Sequence, residues 1–585
     1  EAFRWFKAAA EQGLPEAQYR LGNCYKNGKG VKQDDNEAFR WFKAAAEQGL
    51  PEAQYRLGNC YKNGKGVKQD DNEAFRWFKA AAEQGLPEAQ CFLGICYYLG
   101  EGVKQDYKEA FRWYKAAAEQ GDADAQCRIG ICYYLGEGIK QDDNEAFRWY
   151  KAAAEQGDAD AQYFLGDCYY YGKGVKQDYN EAFRWFKAAA EQGDADAQCR
   201  IGICYYLGEG VKQDYYEAFR WYKTAAEQGL PEAQYRLGNC YYYGNGVRQD
   251  YNEAFRWFNT AAKLGIAEAK FFLGLCYLNG EGVKQESNEA FRWFKAAAEQ
   301  GVADAQYALG LCYSNGEGVK QDYYEAFRWF KAAAEQGIAE AQYNLGICYS
   351  KGQGVKQDYY EAFRWFKAAA EQGDAAAQLK LGLCYYIGKG VKQDYNEAFR
   401  WYKAAAEQGD ADAQRRIGIC YYLGEGVKQD YYEAFRWYKA AAEQGDADAQ
   451  YSIGYCYYNG KGVKQDYNEA FSWFKPAAEQ GNSYAQLNLG DCYYYGKGVK
   501  QDYNEAFRWY KSAAEQGNDI AQDTIGLCYE YGIGVIQNSK EAYYWYLIAY
   551  KNGDTDAEQD VKRIENKLTY QQKQEVQKRV NEWFR

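Results

Sequence analysis

Apolar residues recur along the chain with the spacing of two amphipathic helices, and the whole pattern repeats every 36 residues. The string EAFRW begins at residues 1, 37, 73 and 109 and continues at this interval, ending as EAYYW at residue 541. We number the positions of each repeat from 1 to 36, starting at this glutamate. Sixteen starts follow one another without insertion or deletion, so the chain is one short element copied many times.

Each repeat predicts two helices. The first carries apolar residues at positions 17, 21, 24 and 25, which is one helical face. It starts after the glycine at position 13, with N-caps such as Asp158 and Asp194, and ends at the glycine at position 28. The second starts at a D-x-x-E signal such as Asp70 with Glu73. It is expected to place alanines 2, 9 and 10 and tryptophan 5 on its inner face.

Composition follows from the repeat and argues against catalysis. All 61 glycines lie at positions 13, 22, 28 and 30, and the 585 residues include no His and no Met. Without His, the usual hydrolytic triads and zinc sets are excluded. Residues that could do chemistry are all repeated, so we predict no enzyme, no catalytic residue and no cofactor. Because no Met is present, we expect the chain to be a piece of a longer protein or an incompletely defined chain.

Residues 17 to 49 carry a recognisable motif. Its members are Ala17, Leu21, Gly22, Tyr25, Gly28, Gly30, Val31, Asp34, Ala38, Trp41, Ala45, Ala46 and Gly49. They resemble the Sel-one-like repeat (SLR) family, a relative of the tetratricopeptide repeat, and the resemblance extends to about residue 567. It implies an all-α, right-handed superhelical solenoid of helix pairs, used as an adaptor or scaffold for other proteins.

The repeat register divides the chain into three parts. Residues 1–13 form the second helix of a truncated repeat, 14–553 form fifteen tandem repeats, and 554–585 form a degenerate last repeat with a capping helix. Thr569 and Gln572 are spaced for a capping box on that helix, whose apolar side is formed by Val576, Val580, Trp583 and Phe584. Within the array, Pro476 replaces an alanine inside a second helix and predicts either a local bend or a tolerated substitution.

The 18 cysteines favour free, buried thiols. Fifteen lie at position 24, and equivalent residues of adjacent helices are about 8–10 Å apart, whereas a disulfide needs Cα atoms within about 7 Å. We therefore predict no disulfide and no metal site. Free thiols slightly favour the cytoplasm, although an upstream signal peptide would be invisible in this sequence. No apolar run is long enough to span a membrane.

Charge gives no sign of a nucleic-acid partner. The net charge is −12, and the arginines at position 4 alternate with glutamates at positions 1 and 11 and lysines at position 7. This arrangement predicts a solvated helix face with intra-helix ion pairs. Interleaved acids would cancel the field that phosphate binding requires, so we predict no nucleic-acid binding.

Comparing the repeats with one another indicates where a partner would bind. Variation concentrates at positions 19, 20, 23, 26 and 27, and alignment with the tetratricopeptide pattern places 19, 23, 26 and 27 on the concave surface. Tyrosine dominates position 26, and Asn or Asp recurs at position 23. The predicted partner-binding residues are Tyr98, Tyr134, Tyr170, Tyr206, Tyr242, Tyr386, Tyr422, Tyr458, Tyr494, Asn59, Asp167, Asn239 and Asp491.

Two functions fit this surface. The first is a non-enzymatic scaffold or adaptor that binds protein or peptide partners along a tyrosine-rich groove, since Tyr offers contact area and one hydrogen bond at low entropic cost. The second is a self-assembling structural protein, because near-identical repeats allow filaments or tubes. The tyrosines also have an alternative role, which is to pack on their own neighbours and stiffen the array.

Overall fold

A computed structural model describes residues 1–584. Over this range the chain contains 33 helices and no strand. It divides into two compact units, Glu1–Trp293 and Phe294–Arg585. Within each unit, the helices alternate as the sequence predicts, and consecutive helices pack on each other through most of the array. The predicted all-α repeat solenoid is thereby confirmed.

The helices beginning in the N-terminal unit are α1 (Ala2–Glu11), α2 (Pro15–Asn27), α3 (Asp35–Glu47), α4 (Pro51–Asn63), α5 (Asp71–Glu83), α6 (Pro87–Leu99), α7 (Tyr107–Ala118), α8 (Ala123–Leu135), α9 (Asp143–Glu155), α10 (Ala159–Tyr171), α11 (Tyr179–Glu191), α12 (Ala195–Leu207), α13 (Tyr215–Glu227), α14 (Pro231–Tyr243), α15 (Tyr251–Lys263), α16 (Ala267–Asn279) and α17 (Ser287–Ala298).

The helices of the C-terminal unit are α18 (Ala303–Asn315), α19 (Tyr323–Glu335), α20 (Ala339–Lys351), α21 (Tyr359–Glu371), α22 (Ala375–Ile387), α23 (Tyr395–Glu407), α24 (Ala411–Leu423), α25 (Tyr431–Glu443), α26 (Ala447–Asn459), α27 (Tyr467–Glu479), α28 (Ser483–Tyr495), α29 (Tyr503–Glu515), α30 (Asp519–Tyr531), α31 (Ser539–Asn552), α32 (Ala557–Glu565) and α33 (Tyr570–Trp583).

Side-chain caps begin the helices where the sequence predicts them. The Asp158 carboxylate accepts a hydrogen bond of 2.8 Å from the Ala161 backbone N–H at the start of α10. The Asp70 side chain accepts from two backbone N–H groups at the start of α5. Such caps satisfy amides that have no partner within the helix. Helix α27 runs through Pro476 without interruption, and whether it bends there stays a prediction.

The centre of each repeat is an aromatic ring packed on a helical glycine. Phe186 on α11 is fully buried, and a Cβ added to Gly166 on α10 would lie 2.5 Å from its ring. The ring belongs to position 6, not to the tryptophan at position 5 that we expected at the core. Trp185 is only half-buried and packs against the core of the preceding repeat. Position 6 lies on the same helical face as alanines 2, 9 and 10, whereas position 5 is rotated away from it.

A buried glutamine links consecutive repeats. Gln162 on α10 donates to the Ala154 carbonyl oxygen of α9 over 3.3 Å. Its own side-chain oxygen accepts from Gln192 at the end of α11 over 2.9 Å. The same pair of bonds recurs through both units, for example at Gln450. Buried polar groups cost free energy unless they are bonded, so this amide fixes the relative position of three helices.

The loop after each first helix packs on the preceding second helix. Gly174 has a φ of 68°, and a Cβ there would lie 2.0 Å from the Asp143 carbonyl oxygen at the start of α9. Only glycine tolerates both the left-handed backbone and this approach. Because the loop is held so closely, Lys173 at position 29, which precedes Gly174, lies beside the preceding repeat.

A polar cluster and a final helix, α33, follow the last repeat. Burial alone would raise the pKa of Glu530, but hydrogen bonds from Arg563, Lys567 and Tyr546 outweigh it and lower the pKa to about 2. The capping box of Thr569 with Gln572 is present at the start of α33. The helix buries Val576 and Val580, whereas Trp583 and Phe584 are partly exposed.

Removing the glycine under one ring should loosen its repeat. In Gly202→Ala, the new Cβ would lie 2.5 Å from the Tyr222 ring, which is 2% exposed and has no room to move. Overpacking costs about 1–3 kcal/mol, which outweighs the gain in helix propensity of about 1 kcal/mol. We expect amide exchange in α12 and α13, followed by mass spectrometry, to accelerate several-fold. Thr224→Ala, an exposed change to the residue most repeats carry, is the control; equal acceleration there would contradict the prediction.

An acidic group near the C-terminus should make the last repeat sensitive to pH. Burial and the nearby Asp560 and Asp554 carboxylates raise the pKa of Asp523 to about 7. Because this pKa is above that of the unfolded chain, the native state is favoured at low pH and loses that advantage as pH rises toward 7. We expect Asp523→Asn to slow amide exchange of α30 more at pH 8 than at pH 5. An equal effect at the two pH values would contradict the prediction. Asp519→Asn, at an exposed position of the same helix, is the control.

Candidate partner-binding surface

The tyrosines at position 26 lie half-buried at the ends of the nine first helices that carry them. The ring of Tyr170 packs edge-to-face on Tyr179 with centroids 5.2 Å apart. Gln177 donates both to the Tyr170 carbonyl oxygen over 2.7 Å and to the Tyr179 hydroxyl over 3.0 Å. This cluster closes the turn between the two helices. The same ring pair forms at Tyr98, Tyr206, Tyr242, Tyr386, Tyr422, Tyr458 and Tyr494.

Most of the hydroxyls of these tyrosines bond to position 29 of the next repeat. The hydroxyl of Tyr170 donates to Glu209 over 2.5 Å. Where position 29 is basic, the direction reverses, and Lys173 donates to the Tyr134 hydroxyl over 2.6 Å. The other pairs are Tyr98 with Glu137, Tyr206 with Asn245, Tyr242 with Glu281, Tyr386 with Glu425 and Tyr458 with Lys497. The contacts expected for tyrosines that stiffen the array are therefore present.

Two tyrosines of the predicted set have other surroundings. Tyr422 is hydrogen-bonded to Tyr455 of the following repeat. Tyr494 packs on Tyr495 and on Tyr503, with centroids 4.8 and 5.3 Å apart. Where a carboxylate accepts the hydroxyl, the phenol is held protonated, and burial together with the Glu425 carboxylate raises the pKa of Tyr386 to about 12.

The polar residues predicted at position 23 lie between repeats, and their neighbours differ from one repeat to the next. Asp167 lies 3.4 Å from Arg200, and burial raises the pKa of its carboxyl group. Asp491 accepts a 2.7 Å hydrogen bond from the Tyr510 hydroxyl. Asn59 and Asn239 line crevices between repeats, and the side-chain oxygen of Asn239 is buried without a hydrogen-bond partner.

Crevices between consecutive first helices bring the two predicted positions together. One of about 310 Å³ in the N-terminal unit contains Tyr134 and Asp167, beside Tyr171 and Arg200. Another of about 120 Å³ contains Tyr206 and Asn239. In the C-terminal unit, a crevice of about 300 Å³ is lined by Tyr422, Tyr438, Tyr451, Ser452, Tyr455 and Cys456. Each crevice has room for one side chain of a partner.

Position 27 is the exposed part of this surface, and none of its residues is among the predicted binding residues. Its side chains are 50–57% exposed in five consecutive repeats of the N-terminal unit, although they are apolar or aromatic. We call Leu99, Leu135, Tyr171, Leu207 and Tyr243 the position-27 strip. The signal was present in the sequence, since other repeats carry Asn at this position. Contiguous exposed apolar residues are typical of interaction sites.

Comparison with known proteins identifies the repeats. The Sel1 repeat family model matches sixteen segments, beginning with residues 1–14, 15–50 and 51–86 and ending with 520–554. The chain belongs to the Sel1 repeat family. The resemblance seen in the sequence is thereby confirmed. No curated protein matches the chain at a significant level.

Two solved Sel1 structures are similar to the chain. One is a protective antigen present in uropathogenic Escherichia coli strains, described as displaying an SLR fold. It is 37% identical over 75% of this chain and 94% of its own, with a TM-score of 0.70. The other is a Sel1 repeat protein from Oxalobacter formigenes, 35% identical over 53% of this chain and 89% of its own, with a TM-score of 0.42.

The second helices of the Sel1 repeats present a face of paired charges. Arg112 lies 3.2 Å from Glu109, and Lys115 lies 3.7 Å from Glu119. The Arg112 guanidinium also lies over the Trp113 ring at 5.2 Å. These are the intra-helix pairs that the sequence predicts. Exposed pairs of this kind typically contribute about 0.3–0.5 kcal/mol each, so their main effect is to neutralise the arginines.

The structure describes all 18 cysteines of the Sel1 array as free, and 16 of them are buried. Among the residues described, no group of acidic or thiol side chains is arranged to hold a metal ion. Over the same range, no helix is both long and apolar enough to cross a bilayer. Burial raises the pKa of the Cys60 thiol to about 11 and of the Cys168 thiol to about 12.

These thiols should resist alkylation in the native protein. At pH 8, a thiol with a pKa near 11 is about one part in a thousand thiolate, and the thiolate is the reactive form. We expect brief iodoacetamide treatment followed by mass spectrometry to leave Cys60 and Cys168 unmodified. All 18 cysteines should react once the chain is unfolded in urea. Rapid labelling of Cys168 in the folded chain would contradict its burial.

Proposed function

We propose that this Sel1 repeat chain is a non-enzymatic scaffold that binds protein or peptide partners along the first helices. The observation that carries the proposal is the position-27 strip. Its side chains are half-exposed and apolar or aromatic in five consecutive repeats, whereas other repeats carry Asn at the same position. Sel1 and related repeat solenoids generally serve as protein-interaction scaffolds, which supports the same reading.

The tyrosines and the strip have different roles in this proposal. Tyr134 and Tyr206 form walls of the crevices between repeats, and their hydroxyls are already bonded to the next repeat. They shape the crevices and lose little entropy on binding because they are already held. Tyr171 and Leu207, which are 50% and 52% exposed, provide apolar area that a partner would cover. Asp167 and Asn239 lie in the crevices and offer hydrogen-bond acceptors to it.

Selection of peptides from a displayed random library against the full chain tests the proposal. The test variant combines Leu135→Asn, Tyr171→Asn and Leu207→Asn. Other repeats already carry Asn at this position, for example as Asn63 and Asn279. Each lost side chain removes about 1 kcal/mol of burial. We expect peptides selected on the parent to bind the variant at least tenfold more weakly.

The matched control removes exposed tyrosines from the second helices. Tyr216, Tyr324 and Tyr360 lie at position 36 and are 59–63% exposed, and other repeats carry Asn there. Their triple change to Asn should alter affinity by less than twofold. The proposal fails if the control weakens binding as much as the strip variant does. It also fails if light scattering over a concentration series shows ordered assembly that the strip variant abolishes, since the strip would then serve self-association.

A further inference from the structure

One crevice in the N-terminal unit differs from the others in its chemistry. It lies between α2 and α4, has a volume of about 240 Å³, and is lined mainly by polar and charged side chains, with Phe42 as its one aromatic residue. Lys26 comes from the end of α2, Arg56 from α4 and Lys65 from the loop that follows α4. Asn59, Asn63 and Asp35 complete the polar part of the lining.

The three cations line one crevice, and none of them is paired with a carboxylate. The part of the chain that the structure describes contains 41 ion pairs. None of them involves Lys26, Arg56 or Lys65. The contrast is clearest for arginine at position 20, which occurs in six repeats. The other five lie 2.7–3.4 Å from a carboxylate; they are Arg20, Arg128, Arg200, Arg236 and Arg416. Arg56 alone among them has no such neighbour.

The local electrostatics agree with an excess of positive charge. Burial, and then repulsion from Arg56, lowers the pKa of Lys26. The Nε atom of Arg56 is buried and has no hydrogen-bond acceptor. Asp35 is the one carboxylate in the lining, so the crevice carries three positive charges against one negative. Uncompensated charge in a partly buried site is costly, and an anion would relieve it.

The next repeat provides an internal comparison. Lys62 is the equivalent of Lys26, and it is paired with Glu101 over 2.8 Å. Glu101 occupies the position that Lys65 has one repeat earlier, and Phe92 occupies the position of Arg56. The same lysine is therefore neutralised in one crevice and left without a counter-ion in the other. Repeat-to-repeat substitution, not the fold, creates the charged crevice.

We propose that the crevice formed by Lys26, Arg56 and Lys65 binds a small oxyanion, either a carboxylate or a phosphate group. Arginine presents a planar fork that matches two oxygens, and the lysines add point charges. The Arg56 guanidinium also lies 5.6 Å from the Tyr55 ring, and a cation held against an aromatic face loses less freedom on binding. The site is argued from its own charges and does not depend on a protein binding to the position-27 strip.

Two nearby carboxylates limit the affinity of the crevice for an anion. Asp35 repels an anion from the first turn of α3, and Glu52 lies one turn before Arg56 with an oxygen that is buried without a hydrogen-bond partner. Both oppose the proposed ligand, so free monovalent ions should bind weakly. Neutralising Glu52 with Glu52→Gln should strengthen binding slightly, by about twofold.

Calorimetric titration of the full chain at constant ionic strength tests the site. One probe is inorganic phosphate and the other is N-acetylglutamate amide, which carries a single carboxylate. The test variant is Lys65→Glu, which reproduces the Lys–Glu arrangement of the next repeat and changes an exposed loop residue. We expect it to weaken binding at least tenfold. Lys62→Gln is the matched control and should change affinity by less than twofold.

The two probes separate the sources of the oxyanion. Binding of phosphate alone assigns the site to a phosphorylated ligand, and binding of the carboxylate alone assigns it to an acidic side chain; either supports the oxyanion site. If the parent binds neither probe, the proposal is overturned. It is equally overturned if Lys62→Gln weakens binding as much as Lys65→Glu, because the attraction would then be non-specific. Neither result bears on peptide binding to the strip, which is measured separately.

Discussion

The contact between an aromatic ring and a helical glycine is the constraint on which every repeat depends. At Gly166 and Phe186, as at Gly202 and Tyr222, the ring occupies the space that a Cβ would need. The two helices of a repeat can therefore approach closely, and the small alanines around the ring, 0–3% exposed in the Phe186 cluster, fill the remaining contact. Larger residues at either place would separate the helices and expose the core, since interiors tolerate little extra volume.

Polar links then connect one repeat to the next. The buried Gln162 amide bridges three helices, and the Tyr170 hydroxyl reaches Glu209 of the following repeat. Repeat proteins are stabilised mainly by such nearest-neighbour interfaces. The same tyrosines that we expected to contact a partner are thus also structural. The partner contact that we propose is compatible with this structural role, because a ring held at its hydroxyl still presents its edge and face to a crevice.

Several of the positions that differ between repeats lie around these crevices. Positions 20, 23, 26, 27 and 29 differ, while the ring, the glycine and the alanines stay almost unchanged. One crevice is lined by tyrosines, another holds Asp167 beside Arg200, and a third gathers Lys26, Arg56 and Lys65. A constant scaffold with variable crevices can place different chemistry at regular intervals. Such an arrangement suits recognition of extended partners, in which many weak contacts act together.

The sequence by itself determined the repeat length, the two helices, their caps and the all-α class, because periodicity, glycine and Asp are local signals. It also pointed to positions 23 and 26, through variation between repeats. Only the tertiary structure showed that Phe186 and not Trp185 holds the core, since the choice between adjacent positions depends on helix rotation. It alone joined Tyr134 to Lys173, 39 residues apart, and left Lys26 without a counter-ion while pairing Lys62. Those outcomes depend on which side chains meet across repeats. The spacing of residues within one repeat does not determine these contacts.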